Sequence, residues 1–263
     1  MKAFSAALAL CIPLIVSLVG LVASATHLGN PANALYVFLH VGSSPLSNEV
    51  VSAVGLLACS GLYWLYSFSV KPLVWLQRLL LALIAAMGVV FVTMVSLAYS
   101  VDTIVTWSLP TVPISLWLNA LMGGPLLAAI TLYAAQWRAL AGRFGLMLMA
   151  ASFVALAANT VVYIVQGMQL GGVANSVVAA ADLVPHYHTM LLAFALMCFA
   201  GCVLAAFTMH TVSREAVAHG GGELVFSKRV LVRLLVSCLL VFAGVFIMRF
   251  AFYMMHLTVG LAV

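Results

Sequence analysis

The sequence predicts an all-α membrane protein, a polytopic bundle of about seven transmembrane helices. Three observations carry this. Of the 263 residues, 66% are hydrophobic and only 6% are charged, whereas a soluble domain carries roughly 25% charged residues; the mean hydropathy is +1.26. The apolar residues fall in runs near or above the length of about 20 that one crossing requires. Lys and Arg lie before the first run and in or at the edges of alternate connections between the runs, apart from Arg249 deep in the last one. The runs leave no room for a separate soluble domain, so residues 1–263 read as a single transmembrane domain.

The runs lie at about 4–25, 49–69, 77–99, 112–136, 144–167, 189–212 and 230–255. Backbone groups inside lipid must be satisfied within the segment, so each is expected to be a helix. Lys2, the first run and Ala23-Ser24-Ala25 together resemble a signal peptide. The run exceeds the usual h-region of about 7–15 residues and holds Pro13, so it reads as a first span.

Lys2 precedes the first span; Lys71 and Arg78 flank the second loop, Arg138 and Arg143 the fourth, and Arg214, Lys228, Arg229 and Arg233 the sixth. The first, third and fifth loops hold no Lys or Arg. The positive-inside rule then places the N-terminus in the cytoplasm and the C-terminus outside. The net charge of +5 is accordingly a topology signal and not a nucleic-acid-binding one. The outer loops 27–49, 100–113 and 167–188 mix Pro, Gly, Asn and aromatics and are longer than simple turns, which points to function on that face.

Cys11, Cys59, Cys198, Cys202 and Cys238 all sit within apolar runs without a CxxC pair. Iron–sulfur and zinc sites use more tightly clustered thiolates, so these read as packing residues, and no metal site or cluster is expected in this protein.

Candidate chemistry gathers toward the outer face. His27 closes the first span, and Glu49 opens the second behind Ser47 and Asn48. Glu49 reads either as a first-turn carboxylate favoured by the helix dipole or as a functional group, since a carboxylate beside lipid is expensive. His27 reads either as an interfacial helix end or as a base. In the last span Arg249, Tyr253, His256 and Gly260 are spaced to share one helical face. Arg249 either snorkels to the interface or faces a partner or cavity. Asn159, Tyr163 and Gln166 repeat the spacing in the fifth span, and Gly123-Gly124-Pro125 follows Asn119 in the fourth. Close helix packing accounts for those glycines. Such a face suits oxidation of a quinol: the head group arrives from lipid, loses two protons to a base near water, and passes its electrons to an acceptor this protein does not supply.

The segments ATHLGNPANAL, VGSSPLSNEV, VDTIVTW, LMGGPLL, VQGMQL and FYMMHLTVG, in this order, resemble the membrane anchor subunit of dimethyl sulfoxide reductase across nearly the whole sequence. The resemblance implies a bacterial inner-membrane complex of anaerobic respiration. In it the anchor oxidises menaquinol without haem, a four-cluster iron–sulfur subunit takes the electrons, and a molybdopterin subunit reduces the terminal acceptor. It ties quinol handling to the His of HLG and the Glu of SNE, here His27 and Glu49; Arg249, Tyr253 and His256 are expected to line the same quinol pocket. Two departures stand out. The family has eight spans, and the first span here matches the family's second. Asn33 and His40 stand where members usually carry basic residues.

Two other readings remain at this level. A b-type cytochrome would use His27, His186, His188 or His256 as haem ligands, although His186 and His188 sit in a loop beside Pro185. A transporter would place polar groups at mid-membrane depth on broken helices. A retinal protein is excluded because Lys2, Lys71 and Lys228 all lie at span edges.

Overall fold

The computed structural model describes residues 11, 14–23, 31–218 and 226–258. They form two compact units, Met1–Ala98 and Tyr99–Val263.

In the first unit, α1 (Leu14–Ala23) is a short apolar helix. It falls inside the expected span 4–25, most of whose remaining residues lie outside the described ones. A 3-10 helix covers Pro31–His40. Two long helices follow, α2 (Pro45–Tyr66) and α3 (Val74–Ala98), packed on each other. At 22 and 25 residues and 1.5 Å per residue, both exceed the hydrocarbon thickness of about 30 Å. Only Ser47, Ser52 and Ala53 of α2 and Ser96 of α3 are buried. Their contact includes Gly55, where a Cβ would lie 2.7 Å from the Met87 Cε.

The start of α2 corrects the sequence reading. Hydropathy places the span boundary at 49 because Ser47, Asn48 and Glu49 are polar. The backbone turns helical earlier, at Pro45, whose fixed φ and missing N–H suit the first helical position. Ser44 is the N-cap, and its hydroxyl accepts the Ser47 N–H at 3.5 Å. Gly42, at φ +88°, lets the backbone turn, and its N–H donates to the Asn48 Oδ1 at 2.7 Å. Glu49 is therefore past the first turn, and the dipole account of it does not apply.

The second unit holds α4 (Thr111–Ala134), α5 (Arg143–Leu170), the single-turn α6 (Ala180–Leu183), α7 (Tyr187–Ala218) and α8 (Lys228–Met254). The long helices pack as α4 on α5, α5 on α7, α7 on α8 and α8 on α4, a closed ring of four. With α2 and α3, six described helices are long and apolar enough to cross a membrane. The core is a continuous seam of Met122, Leu126 and Ala129 from α4, Met149 and Leu156 from α5, Phe194, Cys198, Cys202 and Ala205 from α7, and Leu234, Val241 and Met248 from α8. Among lipid-soluble helices, close packing replaces the hydrophobic effect as the attraction, and small residues provide it here. A Cβ on Gly201 would meet the Ser237 carbonyl oxygen at 2.7 Å, and one on Gly244 the Cys198 Sγ at 2.6 Å.

Pro125 lies inside α4 and withdraws one backbone donor. In the preceding turn the Ser152 hydroxyl of α5 donates to the Met122 carbonyl at 2.9 Å. Close packing explains Gly123, whose Cβ would approach the Phe242 ring at 3.2 Å, but not Gly124, which has nothing within 4 Å. The expectation for the glycine pair therefore holds for one of the two.

Connections in this unit sort by parity. At one end, residues 99–110, the segment after α5 and the residues after α8 bond to one another. The Val105 N–H donates to the Leu257 carbonyl at 3.0 Å, Ile104 pairs with Thr258, and the Asn175 Nδ2 donates to the Thr258 carbonyl at 3.4 Å. At the other end, the Tyr133 hydroxyl accepts the Ser227 N–H at 2.9 Å, joining the end of α4 to the start of α8.

Candidate functional site

The end of the second unit where the third loop meets α8 gathers aromatic rings around one cation, Arg249. Arg249 lies one turn and a half before the end of α8, half-buried, with its guanidinium over three rings. It is 4.4 Å from the centroid of Phe252, 4.5 Å from Tyr99 and 5.3 Å from Tyr253. Cation–π contacts of this kind contribute about 0.5–2 kcal/mol. The Tyr99 and Tyr253 hydroxyls are 2.8 Å apart, and one of them donates to the other.

Trp107 closes the cluster. Its ring stacks on Phe252 at 4.5 Å and meets His256 edge-on at 5.1 Å. Its indole N–H donates to the Phe252 carbonyl at 3.1 Å, and the neighbouring Thr106 hydroxyl donates to the Met255 carbonyl. These two carbonyls fall in the last turn of α8 and just beyond it, where no helical N–H remains to satisfy them. The third loop thus caps α8 and is itself positioned by that capping.

This geometry amends the sequence reading of the last span. The helix ends at Met254, so His256 is beyond it and does not continue the Arg249–Tyr253 helical face. It joins the same cluster through Trp107 instead, with its imidazole exposed. Gly260 lies outside the described residues. Sequence reasoning missed Tyr99 and Trp107; the available signal was a pair of aromatics, one just before and one within a loop without Lys or Arg.

In the first unit, Glu49 is half-buried on the second turn of α2, and its carbonyl accepts the Ser52 hydroxyl at 2.7 Å. His27 lies outside the described residues. In the second unit His186 and His188 are exposed. Among the described residues no group of three or more His, Cys, Asp or Glu is placed to hold a metal ion.

Asn159, Tyr163 and Gln166 do share a face of α5, but that face is turned into the bundle. The Asn159 amide donates to the Asn119 Oδ1 at 2.8 Å, and the Asn119 amide to the Tyr163 hydroxyl at 3.0 Å. From α7 the Tyr187 hydroxyl is 2.8 Å from the Tyr163 carbonyl and 3.3 Å from the Gln166 Oε1. This group lies apart from the aromatic cluster in its chemistry: it is neutral, whereas the cluster carries a cation.

Six long apolar helices among the described residues, with an aromatic cluster around Arg249 at the loop end of the second unit, define a multi-pass helical membrane protein. The comparisons with known proteins narrow the class. Residues 6–255 match the model of the family described as DMSO reductase anchor subunit (DmsC), and the protein belongs to that family. It is 33% identical over 247 residues to YnfH, an anaerobic dimethyl sulfoxide reductase subunit of Escherichia coli (strain K12); the match spans 93% of the present sequence and 80% of that relative. It is 35% identical over 246 residues to the C subunit of anaerobic dimethyl sulfoxide reductase from the same organism, with the same coverage. The corresponding C subunit of Haemophilus influenzae is 28% identical over 246 residues, again with 93% and 80% covered. No solved structure matches. Family membership favours the anchor-subunit reading over the transporter and b-type cytochrome alternatives.

Proposed function

We propose that this protein is the quinol-oxidising anchor of a respiratory reductase complex in a bacterial cytoplasmic membrane. The observation that carries the reading is the family match over residues 6–255. The substrate is menaquinol, which gives up two electrons and two protons and leaves as menaquinone. The electrons pass to a four-cluster iron–sulfur subunit and from it to a molybdopterin subunit that reduces the terminal acceptor. The anchor holds no haem or cluster of its own. His27 and Glu49 accept the quinol protons. Arg249, Tyr253 and His256 bind the head group: a guanidinium favours a developing negative charge on a phenolic oxygen, and the aromatic faces suit a flat ring.

The test is turnover of the purified complex with two donors. A menaquinol analogue must enter through the anchor, whereas reduced viologen delivers electrons directly to the partners. Wild-type complex is expected to use both. Arg249→Gln is expected to lower quinol-driven turnover by about tenfold, the effect of losing roughly 1.4 kcal/mol of charge stabilisation, with viologen-driven turnover kept. A complex that uses viologen but never oxidises quinol would overturn the reading.

The orientation belongs to the same proposal, with the N-terminus cytoplasmic and the quinol-handling face outside. It is supported by the absence of Lys and Arg from the first, third and fifth loops. Protons from the quinol are then released outside. An alkaline phosphatase fused after Val263 is expected to be active, since that enzyme folds on the outer side; an inactive phosphatase with an active cytoplasmic reporter at the same point would reverse the assignment.

A further inference from the structure

In the polar group between α4, α5 and α7, the side chains from α5 are enclosed in the bundle and Asn119 of α4 is half-buried. Asn159 is 0% exposed, Gln166 1% and Tyr163 3%. Its hydrogen bonds run from Asn159 through Asn119 to the Tyr163 hydroxyl, and from Tyr187 to the Tyr163 carbonyl and to Gln166. Two atoms are left over: the Asn159 Oδ1, an acceptor, and the Gln166 Nε2, a donor, are buried without a hydrogen-bond partner. Buried polar side-chain atoms are paired in the large majority of cases, with protein or with ordered water. An unpaired one in a low-dielectric interior is heavily penalised.

We infer that this interior is a binding site for water, one molecule on the Asn159 Oδ1 and a second on the Gln166 Nε2. Two molecules are required, not one. Seven residues separate the side chains along α5, about 10 Å at the helical rise, and a water reaches partners only about 3 Å away. The occupant is water and not a head group because the two side chains that carry the unpaired atoms are almost unexposed. A bound water also needs 2–4 polar partners, and each orphan has them close by: Asn119 and the Tyr163 hydroxyl beside Asn159, and the Tyr187 hydroxyl beside Gln166. Gly167 admits the Tyr187 ring against α5, since a Cβ there would lie 2.7 Å from that ring, and so places the Tyr187 hydroxyl beside Gln166. A track of neutral hydrogen-bonding groups and water thus lies in the core of the four-helix ring, joining three of its helices.

The experiment is pulsed hydroxyl-radical footprinting by X-ray radiolysis of the intact complex in lipid nanodiscs. Radicals formed from bound water label side chains beside it, even where bulk solvent has no access. Tyr163 and Tyr187 are expected to be labelled within about threefold of the exposed Tyr253, a range set by the equal intrinsic reactivity of the three phenols. Labelling of both tyrosines below detection, with Tyr253 labelled normally, would overturn the inference, and this wild-type measurement decides it alone. In the double variant Asn159→Leu/Gln166→Met the labelling of Tyr163 and Tyr187 is expected to fall at least fivefold while that of Tyr253 is unchanged. Unchanged labelling of all three in the double variant would also count against water held by these two amides.

Discussion

Glu49→Gln is expected to lower quinol-driven turnover of the assembled complex by about a hundredfold, the lower end of what a positioned general base contributes, while viologen-driven turnover is retained. The substitution keeps the shape of the side chain and removes its ability to take a proton. Glu49 is on the second turn of α2, so the amide is tolerated by the helix; the cap is made by Ser44 and Pro45, which the change does not touch. The carbonyl of residue 49, which accepts the Ser52 hydroxyl, is likewise unaffected. The donor comparison separates a lost base from a lost complex, because a detached anchor would leave viologen-driven activity no longer bound to the membrane. His27→Ala is expected to behave in the same way. Unchanged quinol-driven turnover in Glu49→Gln, with the complex intact, would reduce Glu49 to a helix residue.

The second large effect is on stability. Gly201→Leu is expected to destabilise the four-helix unit by about 3 kcal/mol or more, the upper range for overpacking a filled interior. A Cβ there lies 2.7 Å from a backbone oxygen of α8 and 2.8 Å from the Val241 Cγ2. A backbone atom cannot move aside as a side-chain tip can, so α7 and α8 must separate along their whole seam. Gly244→Leu should follow it, since its Cβ meets the Phe194 carbonyl oxygen at 3.2 Å as well as the Cys198 Sγ. Gly124→Ala provides the contrast: with nothing within 4 Å, it gains helix propensity worth up to about 1 kcal/mol. Thermal unfolding of the purified complex should therefore shift down for the first two and stay level or rise for the third. A lower midpoint for Gly124→Ala than for Gly201→Leu would contradict the packing account.

The order of elements is legible without coordinates. Run length and charge scarcity are enough to place the described long helices, because a segment in lipid has no alternative to a closed backbone. Helix ends are less legible. α2 begins at Pro45 and not at 49, and α7 continues to Ala218 past the expected end at 212. In both places the helix carries polar residues beyond the apolar run, and hydropathy stops where the lipid does while hydrogen bonding does not.

What the sequence by itself determined is the class of protein, the order of the described long helices, and the family to which six scattered segments point. It also marked Arg249, Tyr253, Asn159, Tyr163 and Gln166 as polar groups out of place in apolar runs. The tertiary structure alone decided where each of these goes. Arg249 and Tyr253 meet Tyr99 and Trp107 from a loop far away in sequence, and His256 reaches them from beyond the helix end. Asn159, Tyr163 and Gln166 turn inward and leave two atoms unpaired. The physical reason is that lipid and protein core are equally apolar. A soluble helix declares its buried face by periodicity, whereas a membrane helix is hydrophobic all round, so which face meets a neighbour is settled by the shapes of glycines and large side chains across the helix contacts.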